Sequence, residues 1–341
     1  MKNILKLNYK PYLDQSAIEL SSVMTNTDFW DPVGKRPTLE EFVRENKVNY
    51  AKYLFIKDNP KHVIIKQYIF WISGLFFSSL TFLTLQTFLG FSFLTFFFSF
   101  IVFAIIVGTY STKMSNLTKK IIKLNIAVEN RYSYIPRTNK EFLESYAAAF
   151  PELFSRGFSR RKIEDVFWGQ EEINGKKIDF VSGIFQYTEQ KTDNNTQHYT
   201  KHFFILRFTK KLPVRFSLYP KLKGITVMSG YTKGNVKTES VEFNKKFDIS
   251  YKNVNSEQEV NIMASLTPKV QEELISLSKS TWYPMCIVTP DALLIAGDGY
   301  ILNYLHTNFG KGTQLHTNDI QLFQKKIKTI ASISNEITKY W

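Results

Sequence analysis

The pattern of apolar and polar positions divides the chain sharply. Residues 67–112 carry no charge over 46 positions, between Lys66 and Lys113. A helix crossing a hydrocarbon core of roughly 30 Å needs about 20 apolar residues. One helix through the whole run would be about twice too long, and two fit. The pattern predicts spans over 68–85 and 91–109, with Gln86, Thr87 and Gly90 as the polar, flexible break between them. Lipid leaves no backbone polar group free, so the turn belongs at the far interface. Upstream, residues 1–66 form a short N-terminal segment. There Thr38-Leu39-Glu40-Glu41 is a capping box that predicts a helix to about Ile56, and Asp58-Asn59-Pro60 breaks it. After the second span, Met114, Leu117, Ile121, Leu124 and Val128 recur at spacings of three and four. This predicts a juxtamembrane helix over 113–138, with a two-heptad stripe that serves packing within the chain or a homo-oligomer.

From residue 139 to 341 the pattern becomes α+β. A helix is predicted over 139–150, ended by Pro151, then strands over 165–173 and 178–191 around Asn174-Gly175, a strong hairpin signal. A polar loop over 192–197 leads to strands at 199–209, 213–218 and 241–251. Helices follow at 257–266 and 268–277, split at Thr267-Pro268. Strands at 283–289 and 292–296 flank Pro290-Asp291, and a third is placed at 300–305. A closing helix over 318–339 carries Ile320, Phe323, Ile327, Ile330, Ile333 and Ile337 on one face. The expected fold is therefore α+β: a two-helix transmembrane hairpin plus a cytoplasmic mixed domain with an antiparallel sheet and a C-terminal helix.

Charge adds the orientation. The net charge is +14; residues 1–66 hold 11 Lys/Arg against 8 Asp/Glu, and residues 113–341 hold 33 against 22. Lys57, Lys61 and Lys66 precede the first span, and Lys113, Lys119, Lys120 and Lys123 follow the second, while the turn is uncharged. The positive-inside rule keeps both flanks, and so both termini, in the cytoplasm. Tyr68, Trp71 and Tyr110 suit an aromatic belt on that side. Met1 to Lys6 contain no signal-like apolar run, so the first span is expected to act as its own insertion signal. A single cysteine, Cys286, permits no internal disulfide.

Little chemistry stands out. The spans contain no ionisable residue, which argues against a pump, a coupled transporter or an intramembrane protease. His198 and His202, four apart, are weak metal candidates, but nothing is spaced to give the third ligand that zinc needs, and they read as surface groups. Cys286 sits in an apolar strand and reads as buried rather than as a nucleophile served by His306 or His316. Gly310-Lys311-Gly312-Thr313 lacks the spacing of a phosphate loop. Arg156, Arg160, Arg161 and Lys162, around Phe158, form the densest basic cluster; they read as a solvated run or as a contact for anionic lipid headgroups. Without an array of stacking aromatics, nucleic acid is not an expected partner. No carboxylate pair, triad or cofactor cradle emerges, so no catalytic residue and no cofactor is assigned.

One resemblance is visible. Asp165-Val166-Phe167-Trp168-Gly169, then Phe185-Gln186-Tyr187-Thr188-Glu189, then the stretch from Glu239 to Ser250, Ser256-Glu257-Gln258-Glu259 and Leu266-Thr267-Pro268 resemble the bacterial membrane domain-of-unknown-function family 3137. The likeness covers about residues 165–300. It implies a bacterial inner-membrane location and, because members are often encoded beside LemA-type membrane proteins, such a protein as partner. It implies no activity and no functional residue. The expectation is a membrane-anchored protein-binding or scaffold module at the cytoplasmic face. An enzyme acting on a lipid or anionic substrate and a small oligomeric channel subunit are the alternatives.

Overall fold

The structure, a computed structural model, describes residues 9–24, 38–89, 93–173, 175–192, 195–221, 232–233, 237–251, 254–280, 284–298, 317–339 and 341. The expected strand at 300–305, the motif at 310–313, His306 and His316 lie outside them. Packing divides the chain into a helical unit and an α+β unit, meeting in sequence near Val128.

In the helical unit, a 3-10 turn at Lys10–Tyr12 leads into α1 (Leu13–Met24), followed by α2 (Leu39–Asp58), α3 (Pro60–Leu89) and α4 (Phe93–Asn130). The expected capping box opens α2: the Thr38 hydroxyl accepts from the Glu41 amide, and the Glu41 carboxylate accepts from the Thr38 amide. Asn59 closes it before Pro60, where a proline costs nothing at a first helical turn. The second expected span and the separate juxtamembrane helix prove to be one helix, α4. Its 38 residues rise about 57 Å. Lys113 marks a change in surroundings, but the chain from Phe93 to Asn130 holds no proline to end the helix. It ends where Arg131 adopts a left-handed conformation, φ 56°. Of the heptad-spaced residues Ile121 and Leu124 are buried, in keeping with packing within the chain, but they are not alone. Ile121, Ile122, Leu124, Asn125, Ile126 and Ala127 are all buried, so burial runs around the helix rather than along one seam.

The α+β unit is built on one antiparallel sheet. Among the described residues it has nine strands: β1 (Ser133–Arg137), β2 (Ser159–Ile173), β3 (Lys176–Thr192), β4 (Asn195–Arg207), β5 (Phe216–Pro220), β6 (Thr232–Lys233), β7 (Phe247–Tyr251), β8 (Met285–Val288) and β9 (Ala292–Gly297). Their order is β1-β2-β3-β4-β9-β8-β5-β7-β6. The β2–β3 hairpin closes at Ile173↔Lys176, as the Asn-Gly signal predicts, with Gly175 at φ 75°. Strands extend to Thr192↔Asn195 where a longer polar loop was expected. β1, with Pro136 on an edge strand, was not foreseen.

One face of the sheet is covered by α5 (Lys140–Ala149) and the single turn α6 (Pro151–Phe154). Phe142, Tyr146 and Phe154 pack there on Trp168, Phe185 and Phe203 in a run of edge and stacked contacts 4.5–6.1 Å apart. Each such ring, fully buried, contributes about 1.5–3 kcal/mol. Farther along lie α7 (Val241–Lys246), α8 (Ser256–Ser265), α9 (Pro268–Ser280) and α10 (Thr317–Thr338). Ile327, Ile330, Ile333 and Ile337 of α10 are wholly buried, as its periodicity predicts.

The expected strand over 241–251 is instead a helix and then a strand. Ser240 caps α7 by accepting from the Phe243 amide, and β7 starts only at Phe247. Phe243 and Phe247 are both buried and stack at 5.0 Å. A spacing of four puts two residues on one face of either a strand or a helix, so periodicity could not separate the two.

Candidate functional site

Three features could carry function, and each follows from its local sequence.

The first is the α3–α4 pair. Gly74 lets the helices approach: a Cβ there would lie 3.1 Å from Val107 and 3.2 Å from Phe103. Trp71 meets Phe103 edge-on at 5.5 Å, and the Ser78 hydroxyl donates to the Ser99 carbonyl at 2.8 Å. Partner numbers that rise on one helix and fall on the other make the pair antiparallel. Ser73, Thr81 and Thr84 bond their own helix, while Ser78 bridges to its neighbour. Away from this seam the apolar side chains face outward. Phe76 is 63% exposed, Phe88 87% and Phe96 63%, with Ile72, Leu75, Leu83 and Ile105 similar. One stretch, Tyr68–Phe88, is long and apolar enough to cross a membrane, and Phe96–Thr109 is a shorter apolar helix.

The second is a polar cluster at one end of the sheet. Tyr187 stacks on Tyr199 at 5.2 Å, and the Lys201 ammonium pairs with Asp298. Burial pushes the Tyr187 hydroxyl up to about 12, against the pull of the neighbouring Arg156 guanidinium. This is where the sequence-derived basic cluster falls, and most of it is engaged in structure. Arg156 donates to the Glu152 carbonyl at 2.9 Å, Arg161 donates to the Phe154 carbonyl, and Lys162 pairs with Glu164 at 2.8 Å. Arg160 sits in a bulge of β2 at φ 53° with its side chain exposed. Arg156 and Arg161 therefore tie α6 to the start of β2, while Arg160 and Lys162 stay exposed, so the four do not form one solvated array.

His198 and His202 share a face of β4, but only His198 is exposed, with its Nδ1 2.9 Å from the Thr188 hydroxyl. His202 is buried between Ile184 and Gly297, which corrects its reading as a surface group. No group of three metal-binding side chains occurs among the described residues. Cys286 is fully buried, and burial pushes its thiol up to about 12, too high for a nucleophile at neutral pH.

The third is an open cleft of about 600 Å³ in the α+β unit. Thr238, Glu239 and Ser240 form one wall; Met263, Ala264, Leu266, Thr267 and Pro268, where α8 gives way to α9, form the other; Gln271, Glu272 and Ile275 close it. The walls are held by side chains. Asn244 takes both the amide and the hydroxyl of Thr238 on its Oδ1 and donates to the Thr238 carbonyl at 2.6 Å. The Thr267 hydroxyl accepts from the Val270 amide at 3.3 Å, capping α9. Gln271 donates to the Leu266 carbonyl at 2.5 Å.

No family model matches the chain. No curated protein matches it either. Among solved structures it is similar to the mycobacterial trehalose monomycolate transport factor A, TtfA, at 9% identity over 61% of this chain and 93% of that one, with a TM-score of 0.32. That likeness is too distant to assign a fold or a function.

The cleft joins the Thr267-Pro268 split between helices, expected from the sequence, to the Ser240 cap, which the pattern hides at the start of an expected strand. A concave wall forms because both punctuation marks fall side by side in space, and no one-dimensional signal carries that.

Proposed function

We propose that this chain is an integral membrane protein whose α3–α4 pair crosses the bilayer twice and whose α+β unit is a protein-binding module at the cytoplasmic face. The observation that carries the reading is a close-packed helix pair whose outer surface is rich in Phe and aliphatic side chains on both members. In water such a surface would be covered, since large contiguous apolar patches mark interfaces. Lipid is an occupant that fits every side of it. The uncharged part of α4, residues 93–112, rises about 30 Å, the thickness of a hydrocarbon core. Antiparallel pairing brings the ends next to Lys57 and Lys119 to the same side, the arrangement that the positive-inside rule favours for the cytoplasm. A bacterial inner-membrane location, membership of the family 3137 and a LemA-type partner belong to the same proposal. Anchoring would confine the module to a thin layer and raise its effective concentration toward membrane partners. No observation among the described residues favours the enzyme or the channel reading.

The topology is tested by single-cysteine labelling, because buried Cys286 leaves a silent background. Thr87→Cys should react with a membrane-impermeant maleimide from outside intact spheroplasts, and Lys57→Cys only after lysis. Labelling of both before lysis, or a protein found in the soluble fraction, would overturn the membrane reading. The binding role is tested by crosslinking the full-length protein in its native membrane: crosslinks from a second protein onto the α+β unit support it, and self-crosslinks alone count against it.

A further inference from the structure

We propose that the cleft between the start of α7 and the α8–α9 junction takes a lysine- or arginine-bearing apolar segment of a partner protein. The inference rests on the binding-module reading and names the site and the chemistry of its partner.

The charge of the cleft is opposite to that of the protein around it. In a chain of net +14, its charged lining residues are Glu239 and Glu272, both exposed. Of the basic residues on the adjoining helices, Lys246 pairs with Glu242 at 3.4 Å and Lys269 with Glu336 at 3.5 Å, while Lys245 and Lys279 are not among the residues that line the cleft. Helix dipoles leave this sign standing, because α8 ends where α9 begins and the negative and positive helix ends oppose each other. The six-residue α7 adds little.

A second observation points the same way. Gln271 lines the cleft, is only 6% exposed and has no partner for its Oε1. Its amide cannot be turned to relieve this. The Leu266 carbonyl can only accept, so the amide nitrogen must face it, and the oxygen is left as an unfilled acceptor. Buried acceptors without a donor are costly and uncommon. Two carboxylates and this oxygen are all acceptors, so the matching ligand is a donor, which an ammonium or guanidinium group provides. Met263, Leu266, Pro268 and Ile275 add apolar surface for neighbouring side chains. The Thr238–Asn244 bonds and the Thr267 cap hold both walls before any ligand arrives, which lowers the ordering cost of binding.

The test uses purified full-length protein in dodecyl maltoside on an array of 12-residue peptides. Bound peptides should be enriched in Lys or Arg next to Leu, Ile or Phe, and binding should weaken between 50 and 500 mM NaCl. Glu239→Gln and Glu272→Gln should each weaken the selected peptides about threefold, and together about tenfold, in line with partly exposed charge pairs. Both positions are exposed, so neither change threatens folding. A bound set with no basic bias, or affinities unmoved by the double variant, would overturn the proposal. Should no peptide bind while native-membrane crosslinks still reach the α+β unit, the cleft assignment falls and the module reading stands. Absence of both would remove both.

Discussion

Phe76 gives the sharpest test of the membrane reading. It lies two residues, about 3 Å, from the midpoint of the Tyr68–Phe88 stretch and is 63% exposed. If that exposed ring faces lipid, Phe76→Arg places a guanidinium near the bilayer centre. Arginine at the centre of an inserting helix costs about 2.5–3.5 kcal/mol, and phenylalanine favours insertion by a few tenths. The difference, about 3 kcal/mol, is about 150-fold in the insertion equilibrium. Phe88→Arg is the control. It sits at the end of the same stretch, where a long cationic side chain reaches the interface, so insertion should hardly change. The assay is the fraction of molecules in which Thr87→Cys labels from outside, read for each variant at equal expression. A large loss for Phe76→Arg with retention for Phe88→Arg is expected. Equal labelling of all three would refute the argument, because replacing a water-exposed Phe by Arg carries no such cost.

Further expectations concern the α+β unit and are measured by thermal or denaturant unfolding of the full chain in detergent. Arg215 grips the buried Glu152 carboxylate through Nε at 3.0 Å and Nη2 at 2.6 Å. Arg215→Met strands that charge and should cost about 3 kcal/mol, the low end for a buried pair because the arginine is a third exposed; Glu152→Met with Arg215→Met should recover most of it. Glu273 has its pKa raised by burial, against the Ser332 hydrogen bond and Lys269. Its ionisation therefore opposes folding, and its unfavourable effect grows as pH rises from the ordinary glutamate value through the raised one. Glu273→Gln should raise the Tm at pH 7 and leave it little changed near pH 4. Gly169→Ala would push a Cβ into the Tyr132 ring and to 2.8 Å from Phe180, an overpacking expected to cost about 1–3 kcal/mol.

Much of the local structure was legible because its signals are chemical and short in range. The Thr38 capping box, the Asp58-Asn59-Pro60 stop, the Asn174-Gly175 and Pro290-Asp291 hairpins and the isoleucine stripe of α10 all appear where the residues placed them. Failures came where two structures share one pattern. Phe243 and Phe247 suit a strand or a helix, and the Ser240 hydroxyl decided between them. The onset of charge at Lys113 resembles an ending, yet α4 runs on to Asn130, since a helix needs no apolar neighbours to keep its own hydrogen bonds. Strand β1 was hidden by Pro136, which disfavours a central strand and is tolerated only on the edge that β1 occupies.

The candidate sites divide along the same line. The helix pair is a matter of composition: one uncharged run names it, and the three-dimensional arrangement adds only Gly74 and Ser78 at its seam. The basic cluster is the opposite case. A count of charges made Arg156, Arg160, Arg161 and Lys162 look like one surface, but carbonyls of α6 take Arg156 and Arg161, Glu164 takes Lys162, and Arg160 stays exposed. Sparse charges can then matter more than dense ones. Glu239 and Glu272 are 33 positions apart and no sequence motif joins them, yet both line one cleft beside the α8–α9 junction, together with Gln271, whose Oε1 has no partner. Where the charged lining of a cleft in a strongly basic chain is two exposed carboxylates, a positively charged partner is the complement that the local chemistry favours.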